Sequence, residues 1–242
     1  VSPTVALTVM IAVEVLGFVY YAPRSRFTLQ GFAAINMMLA LLLSGKLVTF
    51  YGSSTSVGAV WYTAVLATQA HIKLYYGRRA AVDSAIMLIS TSALFVALVV
   101  TAALVPGVLG NEIAAGALTR WVDNAQYTVP AAFLGYAVAQ TIILAVIGKI
   151  RSHPWASALL AMVLAQVADT FVYFPAAFRN LDVDALILFA AAGIKLKLYA
   201  TAFLWVAAIV DWRFVFSKTH QRTMYAMSGT MTGTNYPARN DA

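Results

Sequence analysis

The chain has 242 residues, of which 62% are hydrophobic and only 10% charged, against roughly 25% charged in an ordinary soluble domain. With a mean hydropathy of +0.80, this composition excludes a soluble globular enzyme and a disordered chain. The net charge of +7 comes mostly from basic residues at the ends of apolar runs, which excludes a nucleic-acid-binding stripe.

Taken in chain order, apolar runs that reach or nearly reach across the ~30 Å hydrocarbon layer lie at about 4–21, 31–51, 57–76, 82–105, 126–149, 155–178 and 185–208. None alternates as a strand would, so each is read as a helix. The first lacks the basic start and small-residue cleavage pattern of a signal peptide and carries Glu14 in its middle, so it is read as a span. The connection 106–125 is either a plain loop or a short interfacial helix that places Trp121 at the headgroup level. Residues 211–242 form a polar cytoplasmic tail, expected to be disordered.

The loops alternate in charge. Arg24, Arg26, Arg78, Arg79, Lys149, Arg151, Arg213, Lys218, Arg222 and Arg239 fall on one side; Arg120 and Arg179 fall on the other, among Glu112, Asp123, Asp182 and Asp184. Cytoplasmic loops carry the Lys/Arg excess, so the N-terminus is expected outside and the C-terminus inside. The expected fold class is an all-α polytopic membrane helix bundle of seven spans, with the lipid bilayer as its solvent.

Ionisable groups inside a span are expensive and mark function or internal pairing. Lys46 and Lys73 lie near helix ends and can snorkel. Glu14, Asp169, Lys195 and Lys197 lie deep. Counting at 1.5 Å per residue puts Asp169 about 14 Å and Lys195 about 15 Å below the same face, so these two are expected to pair across consecutive antiparallel helices. Lys197, about 200° further round, needs another partner, such as Glu14.

Two Ala-Gln pairs place Gln140 and Gln166 at about the same depth, ~14–16 Å down. On the sixth span Gln166, Asp169, Thr170 and Tyr173 stand at i, i+3, i+4 and i+7, which is one stripe of a helix. Such a stripe faces the bundle or a cavity. It can be interhelical glue or a solute site; two Gln, an Asp, a Thr, a Lys and Tyr199 at one depth favour the site. Carboxylate and carboxamide groups read flat hydrogen-bonding edges, and Phe171, Tyr173, Phe174 and Tyr199 offer stacking faces. Chemistry alone specifies a small planar polar solute.

No cysteine is present, which removes disulfides, thiolate nucleophiles and cysteine metal sites. His71, His153 and His220 are too scattered for a metal centre. No paired-carboxylate, Ser/His/Asp or phosphate-cradling glycine arrangement occurs. No enzyme activity, metal or cofactor is expected.

Three stretches carry a family likeness. AAFLGYAVAQTIILAVIGKIR followed by ASALLAMVLAQVADTFVYFPAAF, VWYTAVLATQAHIKLYYGRRAA, and AAAGIKLKLY resemble the vitamin uptake transporter family of queuosine-precursor transporters. The likeness covers about residues 31–210, a six-helix core, with residues 1–30 as an additional N-terminal transmembrane helix and basic turn. The chain departs from the pattern where Gln140-Thr-Ile-Ile143 replaces a Gln-x-x-Asp, and where Gln69, His71 and Lys73 stand in an element that carries acids in the family. The resemblance implies uptake of a 7-deazaguanine base, preQ0 or preQ1, across the prokaryotic inner membrane. It implies that Asp169 accepts from the ring N–H and exocyclic amine, that Gln140 and Gln166 read the remaining edge, and that Lys195 holds Asp169 ionised or binds a carbonyl. Asn36 stands where family members carry Asn.

Two alternatives stay open. Arg120-Trp121-Val122-Asp123 with Thr128-Val129-Pro130 resembles the third-helix counterion motif of the microbial rhodopsins. Yet Ala191 and Gly193 occupy the positions four before the two deep lysines, where a retinal protein carries Asp. The second alternative is a non-transporting membrane subunit of a larger complex. A homo-oligomer or a membrane complex partner is compatible with either reading.

Overall fold

A computed structural model describes residues 2–104, 112–149 and 154–214. Six helices are long and apolar enough to cross a membrane: α1 (Pro3–Tyr21), α2 (Arg26–Leu43), α3 (Gly58–Leu104), α4 (Glu112–Val146), α5 (Pro154–Ala177) and α6 (Val183–Phe214). A two-stranded hairpin, β1 (Leu47–Phe50) and β2 (Ser53–Ser56), separates α2 from α3.

The count of seven helices is corrected to six, and the reason is connectivity. The runs 57–76 and 82–105 are joined within α3, interrupted by Gly77 at φ 84° and ψ 179°. That region of φ/ψ space is open essentially only to glycine. Gln69 Nε2 donates to Ser84 Oγ at 2.8 Å, whereas fifteen residues of straight helix would hold them about 22 Å apart. The two arms of α3 therefore fold back on each other, and the fourth expected span is the returning arm of the third.

The second span also shifts. It was expected over 31–51, but α2 begins at Arg26 because Ser25 caps it: Ser25 Oγ accepts from the Thr28 N–H, and Thr28 Oγ1 accepts from the Ser25 N–H, a reciprocal capping box. It ends at Leu43, and residues 47–56 turn back as the hairpin instead of continuing the span. Tyr51 and Gly52 both have positive φ (46° and 79°), the pattern of a type I′ turn that suits a two-residue hairpin loop. Hydropathy averaged over this stretch hides the turn. The β-branched and aromatic residues before Gly52 and the Ser/Thr run after it give it away. Lys46 accordingly sits exposed in the turn before β1 rather than on a helix.

Further along, Glu112–Val146 is one helix, so residues 112–125 of the long connection extend the fifth expected span. Trp121 Nε1 there donates to the Leu42 carbonyl at 3.1 Å. Residues 106–111, Arg151, His153, Lys218, His220, Arg222, Arg239 and most of the tail lie outside the described residues.

Packing follows the membrane rule that small residues let helix backbones approach. Ala139 on α4 and Ala161 and Ala165 on α5 are fully buried, and the α4–α5 turn is closed by Ser157, whose Oγ accepts from the Gly148 N–H and donates to the Val146 carbonyl. The main core joins α2, α3, α4 and α5 through Leu29, Met37, Leu66, Ile72 and Tyr136. A second cluster of Leu7, Ile11, Phe50, Val60 and Leu196 ties α1 and the hairpin to α6. The opposite flank of α1, with Val5, Val9, Val13 and Leu16, is exposed, as a lipid-facing surface requires.

Candidate functional site

The stripe on α5 is buried: Gln166, Asp169, Thr170 and Tyr173 all face the interior. Across from it on α6, Lys197 Nζ donates to Asp169 Oδ2 at 2.5 Å and to Thr170 Oγ1 at 2.9 Å. This is the one salt bridge among the described residues. Lys197 Nζ also lies 5.2 Å from the centre of the Tyr62 ring, a cation–π contact. Two charges that would each be costly alone in a bilayer thus satisfy one another. Gly135 on α4 permits this placement, because a Cβ there would overlap Asp169 Oδ1.

Asp169 and Lys197 form one wall of a cavity with about 470 Å³ of empty space, its open mouth included, whose other walls include Ser44, Ser56, Tyr62 and Tyr173. The α2 end and the hairpin supply its roof: Ser56 Oγ donates to the Ser44 carbonyl and accepts from the Gly58 N–H. The Tyr62 hydroxyl faces Asp169 and the Tyr173 hydroxyl faces Ser44, yet both are buried and neither meets hydrogen-bond geometry with a described residue. Buried hydroxyls of this kind are normally satisfied, so the cavity offers two unused polar groups beside a charge pair.

Of the residues singled out from the sequence, Asp169, Tyr173, Phe174 and Lys197 line this cavity, while Phe171 is exposed. Gln166 lies one turn below Asp169, where Nε2 donates to Thr201 Oγ1 and Oε1 is left without a partner. Gln140 is buried on α4 with both amide atoms unpartnered. Asn36 does not reach the cavity: its Nδ2 donates to the Phe32 carbonyl and its side chain meets Glu14 on α1. Tyr199 packs on Phe50 of the hairpin, ring centres 5.6 Å apart.

The expected Asp169–Lys195 pair is not formed. Lys195 is exposed, over the Tyr51 ring at 5.4 Å, and Lys197 takes its place. Depth counted along the chain was adequate for both lysines; rotation about α6 decides between them, and no partner pattern on α6 was used to fix that rotation. Thr201 supplies such a pattern, one turn beyond Lys197 and opposite Gln166. Tyr62, Ser44 and Ser56 were missed because they sit in stretches read as ordinary span or span end.

Residues 56–217 match the family model described as "putative vitamin uptake transporter". The chain belongs to the vitamin uptake transporter family. No curated protein and no solved structure matches it. The family is one of membrane transporters for vitamin-like solutes, and the six long apolar helices of this chain are those of a multi-pass membrane protein. The match contains Tyr62, Asp169, Tyr173 and Lys197, while Met37, Ala40, Leu41 and Ser44 of the same cavity precede it.

Proposed function

We propose that this vitamin uptake transporter carries a queuosine precursor, a 7-deazaguanine base such as preQ0 or preQ1, across the prokaryotic inner membrane, and binds it at Asp169 and Lys197. The observation that supports this reading is the pair of opposite charges on one cavity wall. A guanine-like edge presents a carbonyl acceptor beside N–H donors. Lys197 donates to the carbonyl, and Asp169 accepts from the ring N–H and the exocyclic amine.

The Tyr62 and Tyr173 hydroxyls take up further polar atoms of the solute, and Phe174 with the tyrosine rings offers faces for the flat bicycle. Without solute the two charges satisfy each other, so binding exchanges one set of charge-assisted hydrogen bonds for another and leaves no charge bare. Alternating access then moves the helices about this buried position.

The test is uptake of labelled preQ1 by cells that lack their own carrier. Accumulation that Asp169→Asn abolishes is expected. Background-level uptake, with the protein shown to be in the membrane, rejects the substrate class.

A further inference from the structure

A second, tighter cavity, with about 310 Å³ of empty space counting its open mouth, lies between α1, α3, α5 and α6 toward the end of the bundle that carries Lys149, Arg78 and Arg79. Its walls are largely apolar and aromatic and include Phe18, His71, Trp155, Met162 and Trp205. Two polar groups stand out. His71 is buried with both ring nitrogens unpartnered among the described residues, and Trp205 Nε1 is buried and unpartnered as well. The His71 ring packs edge-on to Phe18 at 5.5 Å and tilted on Tyr75 at 4.2 Å.

The two cavities are stacked along the same helices. Met162 is seven residues before Asp169 on α5, and Trp205 eight after Lys197 on α6, so the second cavity lies about 10–12 Å below the charge pair. Between them lies one buried layer, in which Gln166 Nε2 donates to Thr201 Oγ1. Gln166 Oε1 and both amide atoms of Gln140 have no described partner. Buried amides that lack partners are costly, and a polar solute passing between the cavities would supply them.

We propose that the His71–Trp205 cavity is a second binding position for the transported solute on its way to the cytoplasm, and that the Gln166–Thr201 contact is the partition the solute must open to reach it. This rests on the transport reading above. The chemistry differs from that of the outer cavity. A neutral imidazole offers one donor and one acceptor, and Trp205 one donor, with aromatic walls and no charge among the lining residues. It suits a planar nitrogen heterocycle held more loosely than at Asp169, as a release position requires.

The chain contains no cysteine, so single-cysteine variants report without background. In inside-out vesicles, Ala158→Cys is expected to react with a membrane-impermeant thiol reagent, and added preQ1 is expected to slow the reaction. Reaction only with lipid-soluble reagents would show that the cavity opens to acyl chains and would overturn the proposal. In uptake assays, His71→Phe is expected to lower the maximal rate about tenfold, the scale of one lost hydrogen bond, with half-saturation little changed. His71→Gln, which keeps a donor and an acceptor, is expected to restore it, at equal membrane abundance. Equal rates for wild type and His71→Phe overturn the second position. If the wild type takes up no preQ1 while Ala158→Cys still reacts from the cytoplasmic side, it is the substrate class that fails and not the route.

Discussion

Lys197 spans the gap between α6 and α5 and binds two neighbours on the same turn, the Asp169 carboxylate and the Thr170 hydroxyl. The Thr170 hydroxyl in turn donates a hydrogen bond to the Gln166 carbonyl one turn below. The charge pair is thereby anchored to the helix backbone, and each member has a consequence when removed.

Asp169→Asn or Lys197→Met leaves one buried charge without its partner, a loss of about 3–5 kcal/mol in other buried pairs. Both single variants should unfold at lower temperature in detergent. The double variant Asp169→Asn/Lys197→Met should recover most of that stability and none of the transport. Recovery of uptake along with stability would reduce the pair to a structural clamp.

Lys195 provides the control. It is exposed and touches only the Tyr51 ring among the contacts described, and exposed interactions of this kind contribute about 0.5–1 kcal/mol. Lys195→Gln should retain near-normal uptake where Lys197→Gln loses it. The reverse order would mean that α6 is rotated by two residues relative to this structure.

Tyr62→Phe and Tyr173→Phe each remove a buried hydroxyl that meets hydrogen-bond geometry with none of the described residues. Thermal stability without solute should stay level or rise, while the affinity for preQ1 should fall about tenfold, the scale of one lost hydrogen bond. A fall in stability with affinity unchanged would make both groups part of the scaffold.

The turn at Gly77 can be tested by cross-linking. Gln69→Cys/Ser84→Cys should form an intramolecular disulfide under mild oxidation, because the native side chains touch. Gly77→Ala, forced into a glycine-only conformation, should cost about 1–3 kcal/mol, read as a lower melting temperature. Failure of the disulfide would return α3 to a single straight rod.

Much of this was legible in the residues, since apolar run length fixes helices in lipid almost by itself. The stripe from Gln166 to Tyr173 was found by its helical spacing, and Asp169 by the cost of an acid at that depth. What stayed hidden depends on angles and not on lengths. The choice between Lys195 and Lys197 is a 200° rotation, invisible to depth counting. The turn at Gly77 is one residue's φ, although the basic pair Arg78-Arg79 had marked a break there. The β hairpin was lost because Leu47, Val48 and Phe50 score as membrane residues while serving as strand residues, and Tyr51 does so while serving in the turn. Asn36, expected at the site from the resemblance, is engaged instead with Glu14, on a helix outside the stretch that the family model covers.

The hairpin has one more consequence. Its last residue, Ser56, lines the chamber that holds Asp169 and opens the family-matched region, while Met37, Ala40, Leu41 and Ser44 of the adjoining α2 end line the same chamber ahead of it. The charge pair falls inside the matched stretch, and much of the wall facing it falls ahead of that stretch. Recognition of charge and the shape of the facing wall are thus carried by separate stretches of chain, and grafting residues 26–56 onto a relative is expected to alter preference while leaving the charged recognition in place.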